Sequence, residues 1–254
     1  MTDLILQVRN LNKAFGGVVA TDHLDFDVRQ GEIHAVIGPN GAGKTTFVAQ
    51  IAGMLTPDSG EIIFDGQEIS GLSAPERSHA GLARSFQITS VFPNFTAIEN
   101  VALSIQAHDG HSFRFWTTAF RDAKLIQPAR NILEQVGLAD RALSLAGNLA
   151  HGEQRQLEIA MALATKPKLL LLDEPTAGMG GEESEIMRQF LLGLKGEYSI
   201  ILIEHDMDTV FNLSDRITVL VYGRGIATGA PDEIRSNAQV KAAYLGEDEA
   251  EINA

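Results

Sequence analysis

Apolar and polar positions change period several times along the chain, and the changes predict an alternation of strands and helices. Leu4-Ile5-Leu6-Gln7-Val8 has strand character, and His23 to Val28 alternates polar with apolar side chains, as a half-buried strand does. Ile33 to Ile37 reads as a short buried strand, followed by a helix over Thr45 to Ala52. Glu61 to Phe64 predicts a further strand, closed by the hairpin signal Asp65-Gly66. Gly81 to Phe86 leans apolar, whereas Ile88 to Asn94 holds Pro and Asn and reads as exposed loop.

The helical pattern then dominates. Thr96 to Ile105 starts with a Thr cap and has Glu99 three residues on, a capping box. Pro128 to Val136 is helical and stops at Gly137. A longer helix opens around 149–155 and runs to about Thr165, with Leu157, Ala160, Met161 and Ala164 as its apolar stripe. In Lys168 to Glu174, the leucines Leu169 to Leu172 make a strand buried on both faces, of the kind found inside a parallel sheet. Ser199 to Ile203 is the next buried strand, and Arg216 to Leu220 pairs with Gly225 to Thr228 around Gly223. Pro231 starts a last helix, ahead of an acidic end, Glu247 to Glu251, that reads as a frayed, solvated tail. The stretch Ala107 to Arg121 is less regular and holds Phe113, Phe115, Trp116 and Phe120, either packing beneath a helical lobe or a patch turned to a partner or membrane.

Composition narrows the classes. A chain of 254 residues can bury a real core. Its formal charge of −13 argues against a general nucleic-acid binder, because phosphate contacts need a basic face. The chain has no cysteine, which excludes disulfides, thiolate metal sites and a cysteine nucleophile. Neither His108 nor His111 has partners at metal-ligand spacing, and both read as solvent-facing. Met1 to Asn12 lacks the regions of a signal peptide, and no apolar run approaches membrane-spanning length. The expected place is the cytoplasm, with any membrane link made through another protein or a surface contact.

One stretch carries the chemistry. GPNGAGKTT, residues 38–46, matches G-x-x-x-x-G-K-[ST] between a strand and a helix. A phosphate chain can lie against successive backbone N–H groups only where a loop curls tightly with few side chains, hence Gly38, Gly41 and Gly43. The helix that follows turns its free N–H groups to the same anion. Gly38, Pro39, Asn40, Gly41, Ala42, Gly43, Lys44, Thr45 and Thr46 therefore form a candidate nucleotide triphosphate cradle. Lys44 is expected to reach the β and γ phosphates, and the Thr45 hydroxyl to ligate Mg²⁺.

Other residues join this chemistry. Asp173, at the end of the leucine strand, can hold the same Mg²⁺ directly or through water, and Glu174 can orient or deprotonate an attacking water. Functional groups cluster at the carboxyl ends of such strands. His205, after the next buried strand, is either a γ-phosphate contact or a structural hydrogen-bonding group. Phe15, beside Gly16-Gly17, either stacks on a purine base or packs in its turn. Gln87 binds Mg²⁺, orients a water, or is a surface amide, which its chemistry alone favours. The Gly-bearing turn at 149–155 is a second plausible anion site at a helix start.

Taken together, GPNGAGKTT (38–46), LAHGEQRQLEIA (149–160), LLLLDEPTAG (169–178) and IEHD (203–206) resemble, in order and over essentially the whole chain, the ATP-binding subunit of ATP-binding-cassette transporters. The resemblance implies an α/β P-loop NTPase of that type, with a mixed sheet core, an N-terminal antiparallel β-subdomain and an α-helical subdomain. It implies one ATPase domain over 1–254, a helical subdomain over about 96–165, and a C-terminal helix and acidic tail over 230–254. Phe15 then looks like the adenine-stacking aromatic, Gln87 like the glutamine that senses Mg²⁺ and the membrane partner, Glu174 like the catalytic base and His205 like the switch histidine. ATP and Mg²⁺ are the implied cofactors. Ala150, Gly152 and Glu153 of the signature segment are implied contacts to the nucleotide held by a second, head-to-tail cassette. The remaining implied partners are two transmembrane permease subunits and, indirectly, an extracytoplasmic substrate-binding protein. The implied place is the cytoplasmic face of the plasma membrane.

Two departures stand out. Ala150 takes the place of the usual signature serine, and Gly180 stands where an acidic residue is common after the catalytic glutamate. Within the family, Ala150 to Arg155, Glu204-His205-Asp206-Met207, the insertion around 106–127 and Ala243-Tyr244-Leu245-Gly246 look like uptake systems for branched-chain amino acids, whose relatives import urea, short amides or aromatic acids. The alternatives are a lipopolysaccharide-export ATPase, which shares a Tyr-Leu-Gly ending, and a DNA-repair or translation ATPase, which normally brings tandem cassettes or long coiled insertions.

Overall fold

Residues 3–85, 91–108 and 123–243 are described by the structure, a computed structural model. Gln87, the aromatic stretch at 113–120, His111 and the acidic tail lie outside the described residues. The chain divides into two units, Met1–Arg77 with Lys195–Ala254, and Ser78–Leu194. In chain order it runs β1 (Leu4–Phe15), β2 (Val18–Arg29), β3 (Ile33–Ile37), α1 (Lys44–Ile51), β4 (Ser59–Phe64), β5 (Gln67–Glu68) and α2 (Ala74–Ala80). The second unit continues with β6 (Leu82–Arg84), α3 (Ala97–His108), α4 (Ala123–Gln135), α5 (His151–Leu163), β7 (Leu169–Asp173) and α6 (Gly181–Leu194). The chain then re-enters the first unit with β8 (Ser199–Ile203), α7 (Met207–Leu213), β9 (Arg216–Val221), β10 (Arg224–Gly229) and α8 (Pro231–Ser236).

In the first unit, β2-β1-β4-β5 form an antiparallel sheet. Its register sets Leu6 against Val28 and Phe64, and Val8 against Phe26 and Ile62, so one face is apolar throughout and buried. The β4–β5 turn has Asp65 at φ 48° and Gly66 at φ 77°, the left-handed pair that a tight hairpin requires. A second, mixed set runs β10-β9-β3-β8: β3 is parallel to both β8 and β9, and β10 returns antiparallel. Every residue of β3 and of β8 is buried, which is why both read as mostly apolar runs, with His34 and Ser199 as their polar members. Helix α1 packs Phe47 edge-on against Phe26, with ring centroids 5.0 Å apart. Its C-terminal carbonyls are capped from outside. Buried Arg77 donates to the Gln50 and Ile51 oxygens, each at 2.7 Å, placing a cation at the negative helix end.

In the second unit, β6 and β7 pair in parallel, with Arg84 opposite Leu171. The capping box at α3 forms as expected: Thr96 N–H donates to Glu99 at 2.7 Å, and Glu99 N–H reaches Thr96 Oγ1 at 3.4 Å. Helix α4 begins at Ala123, before Pro128, although the pattern placed the start at the proline. A proline inside a helix removes one backbone hydrogen bond and crowds the carbonyl four residues back, but Leu125, Ala129 and Leu133 are buried on one face, and their packing offsets that cost. Gly137, at φ 77°, ends that helical run. Helix α6 was not expected at all. Its first turns, Gly181 to Ser184, are polar, and its buried stripe is only Met187, Leu191 and Leu194.

A charged network underlies β3 in the first unit. Arg216 donates to Glu32 at 2.8 and 3.1 Å and to Asp27 at 2.5 Å. Fully buried His34 meets Thr218 Oγ1 at 2.8 Å, and its other ring nitrogen lies 3.5 Å from Glu32. Burial by itself would raise the Glu32 pKa. Hydrogen bonds from His34, Arg216 and the Arg29 N–H outweigh it and bring the value down to about 2. Burial pushes His34 below its ordinary value.

Both folded-state values lie below the unfolded ones, so both groups contribute stability that is present above the unfolded pKa and lost as pH falls. Unfolding midpoints in urea should therefore drop as pH falls below about 6.5, where the unfolded histidine begins to take protons. They should drop again from 4.5 toward about 2 through Glu32. Glu32→Gln should lower the midpoint at pH 7 and flatten the lower window. A variant that keeps the wild-type slope there would show that other carboxylates set it.

Candidate functional site

The phosphate loop leaves β3 at Ile37 and is pressed between β2 and β9. A Cβ on Gly38, at φ 153°, would sit 2.1 Å from the Leu220 carbonyl oxygen. One on Gly43, at φ 99°, would sit 2.1 Å from that of Ala20. The loop is further tied by Gly223, whose N–H donates to the Ala42 carbonyl at 2.9 Å and whose carbonyl accepts from Asp22 N–H at 3.0 Å. Lys44 Nζ folds back to the carbonyls of Gly38 at 2.5 Å and Pro39 at 2.9 Å. Gly43 is the N-cap of α1 and supplies no side-chain acceptor, so the first-turn N–H groups are left for an anion. Thr45 is exposed beside them. The loop suits a triphosphate: Gly38, Gly41 and Gly43 bring no Cβ to it, the start of α1 adjoins it, and the Lys44 ammonium is held at its backbone.

Phe15 ends β1 opposite Val18 and is 52% exposed, with Lys13 Nζ 5.7 Å from its ring centre. An aromatic ring left this open at a hairpin tip is available for stacking, and core packing does not account for it. His205 follows β8, whose Ile203 pairs with Val36 of β3, so it leaves the sheet at the same end as the phosphate loop. Its side chain is 69% exposed while neighbouring Glu204 is buried, and Asp206 caps α7 through Asp208 N–H at 3.1 Å.

In the second unit β7 ends at buried Asp173, whose Oδ2 accepts from Arg84 at 2.9 Å. Glu174 follows at φ 49°, a left-handed conformation that a residue with a Cβ adopts only at a cost. Helix α5 starts at Ala150, which offers no capping oxygen; Glu153 instead reaches back to Ala150 N–H at 2.9 Å and holds Arg141 at 2.8 Å. A cavity of about 220 Å³ opens beside this helix start, lined by Ala150, Gly152, Glu153, Gln156, Met179 and Glu183. His151 closes against Gly178, with its Cε1 3.5 Å from where a Cβ would stand.

The structure thus places the loop, Phe15 and His205 in the first unit, and Asp173, Glu174 and the 150–153 turn in the second. The sequence reading missed Arg84 and Gly223. An arginine in an apolar-leaning strand and a glycine in a hairpin carry no functional pattern of their own.

A family model described as ABC transporter matches residues 21–177. The chain belongs to that family. A second model, the branched-chain amino acid ATP-binding cassette transporter, matches residues 226–250 of this cassette. Over 97% of its length and the whole of the relatives, the cassette is 39% identical to the high-affinity branched-chain amino acid transport ATP-binding protein BraF of Pseudomonas aeruginosa and 40% identical to LivG of Salmonella typhimurium. Among solved structures, it is similar to the ADP conformation of an ATP-binding cassette of an ABC transporter, at a TM-score of 0.85 and 30% identity, covering 96% of this chain and all of that one. It is also similar to a nucleotide-free cassette, at a TM-score of 0.83 and 30% identity, covering 95% and 98%. The α/β fold with its mixed and antiparallel sheets is that of these cassettes.

The two kinds of glycine in the cassette's phosphate loop are separable by mutation. Gly41→Ala meets open space and adds only the cost of φ 77°, about 1–2 kcal/mol. Gly43→Ala adds a collision with the β2 backbone, so it should cost clearly more and also weaken ATP binding. Urea denaturation of both variants checks the ranking; equal costs would mean that the loop is not clamped against β2.

Proposed function

We propose that the chain is the ATP-binding and ATP-hydrolysing subunit of an importer for branched-chain amino acids or related small amides and acids. The observation that carries this reading is the joint one of near-full-length identity to BraF and LivG and a phosphate loop shaped for a triphosphate. The base stacks on Phe15. The backbone of Gly38 to Thr46 and the α1 N–H groups bind the phosphates, and Lys44 exchanges its loop carbonyls for β and γ phosphate oxygens. Thr45 and Asp173 supply hard oxygen donors suited to Mg²⁺, with Gln87 as a further ligand. Bound Mg²⁺ neutralises charge developing on the phosphates. Glu174 takes the proton of the attacking water, and His205 contacts the terminal phosphate.

One phosphate loop and one signature turn per chain make a complete site only in a pair, where Ala150, Gly152 and Glu153 of each cassette close on the partner's nucleotide. Because Glu153 already holds Ala150 N–H and Arg141, the helix start and the Gly152 backbone remain for that contact. Among the described residues no helix is long and apolar enough to cross a membrane. Two permease subunits therefore provide the passage, with the cassettes on its cytoplasmic face and a substrate-binding protein on the other.

Glu174→Gln should keep ATP binding and lower turnover by about 10²–10⁴-fold, since a general base is lost. Phosphate release near the wild-type rate would remove Glu174 from that role. Alone, the chain should be mostly monomeric and hydrolyse ATP weakly, because a charge of −13 on each copy opposes pairing and Ala150 offers no hydroxyl to the neighbour's phosphate. Reconstitution with the permeases and a second, non-identical cassette should raise the rate per subunit. Sedimentation and ATPase measured against concentration test this, and a tight ATP-independent homodimer indifferent to permeases would refute it.

A further inference from the structure

Asp173 is a buried carboxylate with a cation already on it. Its side chain is 5% exposed and that of Arg84 12%, and Nη2 of Arg84 donates to Oδ2 of Asp173 at 2.9 Å. Backbone pairing fixes the donor: Arg84 lies opposite Leu171 in the parallel β6–β7 pair, and Ser85 N–H continues the ladder to the Leu171 carbonyl at 2.9 Å. The guanidinium thus approaches from the neighbouring strand and engages Oδ2 of the carboxylate. A buried ion pair is a weak source of stability, because desolvation consumes most of its attraction, and an apolar pair of similar volume often serves as well. What the pair does supply is a fixed orientation and a cancelled charge.

That charge matters because a nucleotide triphosphate is a polyanion. With Mg²⁺ present, the metal neutralises the meeting of phosphate and carboxylate. Without it, a bare Asp173 would repel the phosphates at the place where the metal belongs. We propose that Arg84 is a positioning residue that stands in for Mg²⁺ at Asp173. It holds the carboxylate oriented and neutralised while the site is empty or contains metal-free nucleotide, and it shares the carboxylate with Mg²⁺ when the metal complex binds. This rests on the reading of Asp173 as the metal-linked carboxylate. Arg84 thereby sets how strongly nucleotide affinity depends on Mg²⁺.

The readout is equilibrium affinity for a fluorescent ATP analogue, measured in EDTA and in saturating Mg²⁺. Arg84→Gln should weaken binding in EDTA by about 3- to 10-fold while changing the Mg²⁺ value by less than about twofold, so that the Mg²⁺ enhancement grows. Arg84→Lys keeps the charge and should keep the wild-type enhancement, a rescue that a role in packing alone would not produce. Asp173→Asn should shrink the enhancement, because the carboxylate that links the metal is gone. Thermal melts establish that each variant is folded, and Arg84→Met replaces the glutamine variant if that one is not. An unchanged or smaller enhancement in Arg84→Gln, with Asp173→Asn behaving as expected, overturns the role of Arg84 alone. A wild-type enhancement in Asp173→Asn overturns it together with the assignment of Asp173 to the metal.

Discussion

Backbone packed on backbone, with no side chain between, is the constraint on which the first unit depends. Gly38 lies against Leu220, Gly43 against Ala20, and the Gly223 N–H bonds the Ala42 carbonyl. Neighbouring strands and a hairpin turn thereby hold the phosphate loop largely through backbone, with the Lys44 side chain bonding the Gly38 and Pro39 carbonyls from within. The cost in chain entropy of ordering a glycine-rich loop is offset by these contacts and by the buried β3 that delivers it. The result is a loop whose backbone is fixed before any ligand arrives.

Charge in this acidic chain is handled by local pairing. Arg216 lies among Asp27, Glu32 and His34 at the base of β3, Arg77 caps the carbonyl end of α1, and Arg84 covers Asp173. Each is a cation placed by a strand or helix beside groups that would otherwise oppose burial. The first two arrangements serve the scaffold. The third lies one residue from Glu174, whose left-handed backbone is the kind of local strain that collects at working sites.

At the start of α5 a carboxylate three residues on takes the place of a capping hydroxyl. Ala150 cannot cap, so Glu153 takes the Ala150 N–H and is itself held by Arg141. The carboxylate is thus fixed, and the small residues Ala150 and Gly152 leave the adjoining cavity open. Gly180, standing where an acid is common, has nothing within 4 Å of a would-be Cβ. A glycine there loses charge but creates no clash and fills no gap.

Much of this was legible in the order of residues. The strands Ile33–Ile37, Leu169–Asp173 and Ser199–Ile203 are predominantly apolar because they are buried on both faces, and the glycine spacing of 38–46 matches what a phosphate-binding loop needs. Period and spacing are local properties, so the sequence by itself determined these elements and the chemistry of the loop. It did not reveal α6, whose buried stripe is narrow, nor the start of α4 ahead of Pro128, where packing outweighs the proline. Nor could it mark Arg84 or Gly223, whose roles depend on which strand lies beside β7 and which turn lies against Ala42. Those facts join residues far apart in the chain, and only tertiary structure decides them, because hydrogen bonds and charges act through distance in space.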